Sequence, residues 1–189
     1  MERLHTPVIQ SFVIGQQSIT AQVLWICGFA LLTAVGAQLE IPHQPVPYTL
    51  QTFFVLMSGA LLGKRNGALS QLLYLMLGLV GLPVFSGWGF GLARLLGPTG
   101  GYLFSFPVAA FVVGYLIDYH RSFLWHLMSM AVGVAIVFSL GIVQLYAVYS
   151  HNWAEAIAKG FFMFSWWDAL KLFAAATIYH QISSRLQKS

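Results

Sequence analysis

Asp168 and Lys171 stand three residues apart at the start of the apolar stretch Trp166–Ile182. In a helix that spacing puts both on one face. An ionisable side chain at membrane depth costs a few kcal/mol and turns toward protein or a cavity rather than lipid. Two readings follow. In one, Ser165-Trp166-Trp167-Asp168 is a capping box, with Asp168 at the positive end of the helix dipole and Lys171 paired to it. In the other, the pair meets a polar ligand, the carboxylate accepting N–H bonds and the ammonium donating to a carbonyl. Trp166 and Trp167 also fit the interfacial belt of a membrane helix.

Two further segments carry polar groups beside unusual backbone. Gly97-Pro98-Thr99-Gly100-Gly101-Tyr102 is either a plain loop-to-helix turn or a place where bare amides at a helix start meet an oxyanion. Pro45-Val46-Pro47-Tyr48-Thr49-Leu50-Gln51 sets Tyr48 and Gln51 beside a stiff loop, as pocket residues or as a belt tyrosine and a helix-start polar group. Arg94 is an isolated cation in a glycine-rich loop, solvated or facing a carboxylate. The six histidines have no metal-ligand spacing, so no metal site is expected. Gly59-x-x-x-Gly63-Lys64 is one residue short of a phosphate-binding loop and lacks its Ser/Thr, so no ATP hydrolysis is expected of this chain. Ala30 and Ala34, with Ala37 close to the same face, let another helix approach closely, inside the bundle or on a partner. Cys27 stands alone in an apolar run, which excludes a disulfide framework and reads as a small core residue.

The elements that position these groups follow from composition. Of 189 residues, 58% are hydrophobic and 7% charged, against about 25% charged in soluble domains. The apolar residues fall in blocks broken by Pro, Gly and charge. A spanning helix needs roughly 20 of them. The expected fold is all-α and integral to the membrane: one domain over 1–189 with six transmembrane helices. The spans are about Ile19–Leu39, Thr49–Leu62, Ala68–Leu82, Gly101–Ile117, Phe123–Tyr149 and Trp166–Ile182. Pro107 is expected to kink the fourth. A short interfacial helix fits Ser150–Ser165, around Glu155 and Lys159. The first residues lack the apolar core of a cleavable signal, so insertion is expected to rest on the first span.

Cation placement sets the orientation. Arg3, Lys64, Arg65, Arg121, Arg185 and Lys188 fall on one side, and Arg94, Lys159 and Lys171 on or toward the other. Both termini are therefore expected in the cytoplasm, with the Pro-rich, Gly-rich and Glu155 segments outside. The scattered cations give no nucleic-acid footprint.

Taken in order, the segments resemble the BioY family, the biotin-binding S components of energy-coupling factor (ECF) transporters. The carrying pieces are Ala30–Gln38 with Ile41-Pro42, Pro45–Gln51, Ser58–Gly63 and Gly67–Ser70. Leu73-Tyr74, Gly78–Phe85, Gly97–Tyr102 and Asp168-Ala169-Leu170-Lys171 follow. Together they cover most of the chain. One departure stands at Trp166-Trp167, where the family carries a Pro-Gly pair. The resemblance implies a six-helix S-component bundle in a bacterial cytoplasmic membrane, binding biotin near the outer face under the loop between spans one and two. It further implies a transmembrane T component meeting Ala30 and Ala34, and two ATPase subunits supplying the energy. Biotin is then the transported ligand, with no cofactor. Asp168 would accept the ureido N–H groups, and Lys171 would donate to the ureido carbonyl or hold Asp168 ionised. Tyr48, Val84, Phe85 and Trp167 would cover the thiolane ring, with Gln51 and Tyr102 beside them. Arg94 or the Gly100-Gly101 amides would face the tail carboxylate.

Two alternatives compete with transport of biotin. One is an S component for another small vitamin. The other is a membrane enzyme acting on acyl donors, which the absence of a His-Asp or Cys-His arrangement argues against. A purely structural subunit leaves the polar outer segments without a role.

Overall fold

Ser18 opens the first helix by accepting the Ala21 amide at 3.3 Å, and α1 then runs over Ile19–Gln38. Pro42 bars continuation, because the residue before a proline is pushed out of the helical region. The chain passes into a two-residue strand β1 (Glu40–Ile41), which pairs antiparallel with β2 (Tyr48–Thr49). The three prolines 42, 45 and 47 lie in the loop between them. The computed structural model describes residues 18–162 and 165–186. Arg3 and Lys188 of the charge argument, the amino-terminal segment, and the Ser165 side chain of the capping box lie outside the described residues.

Helix α2 (Gln51–Leu79) contains spans two and three. A straight helix would separate Gln51 from Tyr74 by about 34 Å. Instead the Gln51 amide donates to the Tyr74 hydroxyl at 2.6 Å. The chain reverses at Gly63, whose φ of 75° and ψ of 174° lie outside the range open to other residues. Between the expected spans two and three, residues 63–67, the structure thus has a one-residue break, with the second arm restarting at Lys64. Gly59 and Gly67 make the reversal possible: a Cβ on Gly67 would stand 2.8 Å from the Gly59 Cα. Buried Gln71 closes the crossing by donating to Ser58 (3.1 Å) on the first arm and Thr33 (3.2 Å) on α1.

The Gly-rich segment after α2 forms a tight turn at Ser86–Trp88 and a short helix α3 (Leu92–Leu96), neither of which the sequence announced. Helix α4 (Gly100–Leu116) carries Pro107 inside it, and α5 (Phe123–Leu145) continues as a wide π turn to Ser150. The short α6 (Trp153–Ile157) is capped by Asn152, which accepts the Ala154 and Glu155 amides at 2.9 and 3.3 Å. Its Glu155 pairs with Lys159 at 2.7 Å, a hydrogen bond that raises the Lys159 pKa above its usual value. Helix α7 (Ser165–Leu186) returns along α5 and α2. Seven α-helices thus appear among the described residues, where six spans were expected. The two arms of α2 share one label, and α3 and α6 are too short to span.

By length and composition α1 and α5 with its continuation suffice to cross a bilayer; α4 is shorter but equally apolar. Their outer faces are large and hydrophobic, among them Leu24, Leu31, Val35, Phe111, Val132 and Val143. The two ends of the bundle differ. Lys64 lies 5.2 Å from the Tyr115 ring centre, and Asn66 reaches Gln22, so the α2 reversal, the end of α4 and the start of α1 share one end. The opposite end holds the β hairpin, the 83–99 segment, α6 and the start of α7.

Candidate functional site

That opposite end holds a cavity, about 570 Å³ of empty space when its open mouth is counted. Its wall is mostly apolar: Val46 and Pro47 from the loop, Phe85 from the turn, Leu103 and Phe106 from α4, Val137 and Phe138 from α5. One polar cluster interrupts it. Asp168 and Lys171 pair at 2.6 Å with side chains 6% exposed each. One turn of α7 brings them to the same face.

The cluster extends across to α2. Lys171 Nζ donates to the Thr49 carbonyl at 2.9 Å and to the Thr52 hydroxyl, which itself donates to Asp168 Oδ1 at 3.0 Å. The three donors of the ammonium are matched by three acceptors. Both partners of Asp168 end on Oδ1; among the described residues no hydrogen bond ends on Oδ2. The carboxylate thus keeps acceptor capacity beside the cavity, while the ammonium is committed to protein.

Of the residues singled out from the sequence, Gln51, Phe85, Tyr102, Asp168 and Lys171 line this cavity. Gln51 is held by Tyr74 and by Thr49 Oγ1 (2.9 Å); Tyr102 donates to the Gly160 carbonyl at 3.0 Å, fixing α4 to the segment after α6. The other five do not line it. Tyr48 stands edge-on to His43 at 5.3 Å, because alternate strand residues face opposite ways and Thr49 takes the cavity side. Val84 contributes its carbonyl to the Tyr74 hydroxyl at 3.2 Å while its neighbour Phe85 enters the wall. Arg94 is exposed and packs over Gly89 on the turn rather than facing inward. The Gly100 amide is spent on the Gly97 carbonyl at 3.1 Å, and its Cα packs against Leu95 and Gln144. Trp167 lies a residue before Asp168, off the shared face, against Trp166 at 5.7 Å.

Of Ala30 and Ala34, expected either inside the bundle or on a partner, Ala30 is fully buried in the core cluster formed with Val55, Tyr74 and Phe106, and half-buried Ala34 packs on that cluster. On another side of α1, Gly36 sits so close to Phe54 of α2 that a Cβ there would be 2.7 Å from the ring.

Sequence reasoning passed over Thr52, Leu103 and Phe106. Thr99, Tyr102, Leu103 and Phe106 recur at helical spacing, a signal that was available. Val137 and Phe138 lie within an unbroken apolar run that marks no single position.

Fold and site together define a helical membrane protein with a small-molecule cavity roofed by loops at one end of its bundle. The chain belongs to the BioY family, whose model matches residues 7–188. It is 47% identical over 150 residues to the biotin transporter BioY of Thermotoga maritima, covering 79% of this chain and 88% of that one. It is 41% identical over 157 residues to a probable biotin transporter BioY of Lysinibacillus sphaericus, covering 79% of each. In three dimensions it resembles the S-component for biotin from an ECF-type ABC transporter, with a TM-score of 0.81 at 26% identity, over 90% of this chain and 92% of that one.

Proposed function

We propose that this chain captures biotin as the substrate-specificity subunit of a vitamin importer. The observation that carries the reading is the buried Asp168–Lys171–Thr52 cluster set in an otherwise apolar cavity. Biotin presents two ureido N–H donors at one end of an apolar bicycle. Asp168 Oδ2 accepts one of them, and Lys171 aims the carboxylate, acting through Asp168 rather than on the ligand. Charge-assisted bonds of this kind are roughly twice as strong as neutral ones. Phe85, Tyr102, Leu103, Phe106 and Phe138 enclose the thiolane ring, and the tail carboxylate points to the mouth.

In this reading α1, the two arms of α2, α4, α5 and α7 are six spans of a bacterial cytoplasmic membrane. Lys64, Arg65, Arg121 and Arg185 lie on the cytoplasmic side with both termini, and the cavity opens outward. A transmembrane T component and two ATPase subunits supply the energy. Isothermal titration of the detergent-purified chain with biotin tests the proposal. Saturable one-to-one binding is expected; the absence of binding with the chain folded refutes it.

A further inference from the structure

Over the cavity, residues 85–89 form a small hairpin closed by two backbone bonds between Phe85 and Gly89, at 3.0 and 3.1 Å. Phe85 and Ser86 face the cavity from it. The hairpin is hinged on α2, where Tyr74 holds the Val84 carbonyl and the Gly91 amide donates to the Gly78 carbonyl at 2.8 Å. Toward α1 its hydrogen bonds, among the described residues, both come from one side chain. Gln38 Nε2 donates to the Phe85 carbonyl at 3.0 Å, and Gln38 Oε1 accepts the Trp88 amide at 3.1 Å.

Trp88 gives that second bond its meaning. Its φ is 57°, in the left-handed region that a bulky residue enters only at a cost. The indole is 68% exposed, so ring burial does not offset the cost. What holds the conformation is the amide bond to Gln38, together with the hairpin closure.

We propose that Gln38 is a latch: its amide ties the 85–89 hairpin to the end of α1, keeping Phe85 over the cavity and setting how fast a bound ligand leaves. The ligand is taken as biotin, so the kinetic test rests on the function proposed above. When the latch breaks, the strain at Trp88 drives the hairpin away from α1 about its α2 hinge. Gln38 is a positioning residue, since it does not itself line the cavity.

The test pairs a ligand-free readout with a kinetic one on the full chain in lipid nanodiscs. In a Cys27→Ser, Ser86→Cys background, maleimide labelling reports exposure of the hairpin's inner side. Gln38→Leu should raise the ligand-free labelling rate about tenfold, and should speed dissociation of radiolabelled biotin by a similar factor with little change in association. Gln38→Glu keeps the acceptor for Trp88 but loses the donor to Phe85, so it should fall between parent and Gln38→Leu in both assays. It also serves if the leucine variant does not fold. Adding Trp88→Gly to Gln38→Leu should restore slow labelling and slow release, because glycine takes positive φ freely. Labelling at the parent rate in both Gln38 variants overturns the latch. A parent chain that fails to bind biotin overturns the proposed function instead, and the labelling result still decides the latch.

Discussion

Replacing Asp168 by asparagine changes charge and almost nothing of shape. The side-chain carbonyl can still accept from Thr52 and Lys171, which approach Oδ1 at 3.0 and 2.6 Å, so the helix pairing should survive. Two things are lost. Both retained bonds fall from charge-assisted to neutral on the acceptor side, in a site where each partner is only 6% exposed. The second oxygen becomes an NH₂ donor facing a ureido N–H, so that bond vanishes. Hydrogen bonds to charged groups contribute about 1.5–3 kcal/mol and neutral ones about 0.5–1.5. Truncating a buried charged pair costs about 2–5 kcal/mol. A loss of about 2–4 kcal/mol is expected, or roughly 30- to 1,000-fold in Kd. Isothermal titration should show it for biotin and equally for desthiobiotin, which shares the ureido ring, with the protein still monodisperse. Lys171→Gln should also weaken binding, because it leaves the carboxylate without its counter-charge. If both variants bind biotin like the parent, the pair is a helix cap and the reasoning fails.

Orientation is open to direct measurement: Trp88→Cys in a Cys27→Ser background should react with an impermeant reagent on intact cells, and labelling only after lysis would reverse the topology. Gly63→Ala forces a φ of 75° with ψ 174°, a region essentially confined to glycine, on a residue with a Cβ and should cost roughly 1–3 kcal/mol, seen as a lower unfolding midpoint in detergent. Ala30→Leu overfills a fully buried position and should destabilise by about 1–3 kcal/mol. Unchanged stability with loss of T-component co-purification would instead favour the partner-face reading.

The sequence made the helices legible because each is an apolar block with clear punctuation, and α1, α4, α5 and α7 fall close to the expected bounds. The Asp168–Lys171 pair was legible for a related reason: charge inside such a block is costly, and a spacing of three fixes its face. Less visible was which polar groups answer it. Thr52 sits 116 residues from Asp168 in sequence, and only the Gly63 reversal combined with α7 packing on α2 brings them to 3.0 Å. Gly100 shows the converse. Glycine spacing says that something approaches closely but not what, and here a neighbouring carbonyl and Gln144 occupy the space. The same ambiguity leaves Ala30 and Ala34 open to an internal helix or a partner. Small residues at a four-residue interval permit close approach by any helix, and within this chain α2 lies against α1 at Gly36–Phe54 and through the Gln71–Thr33 bond.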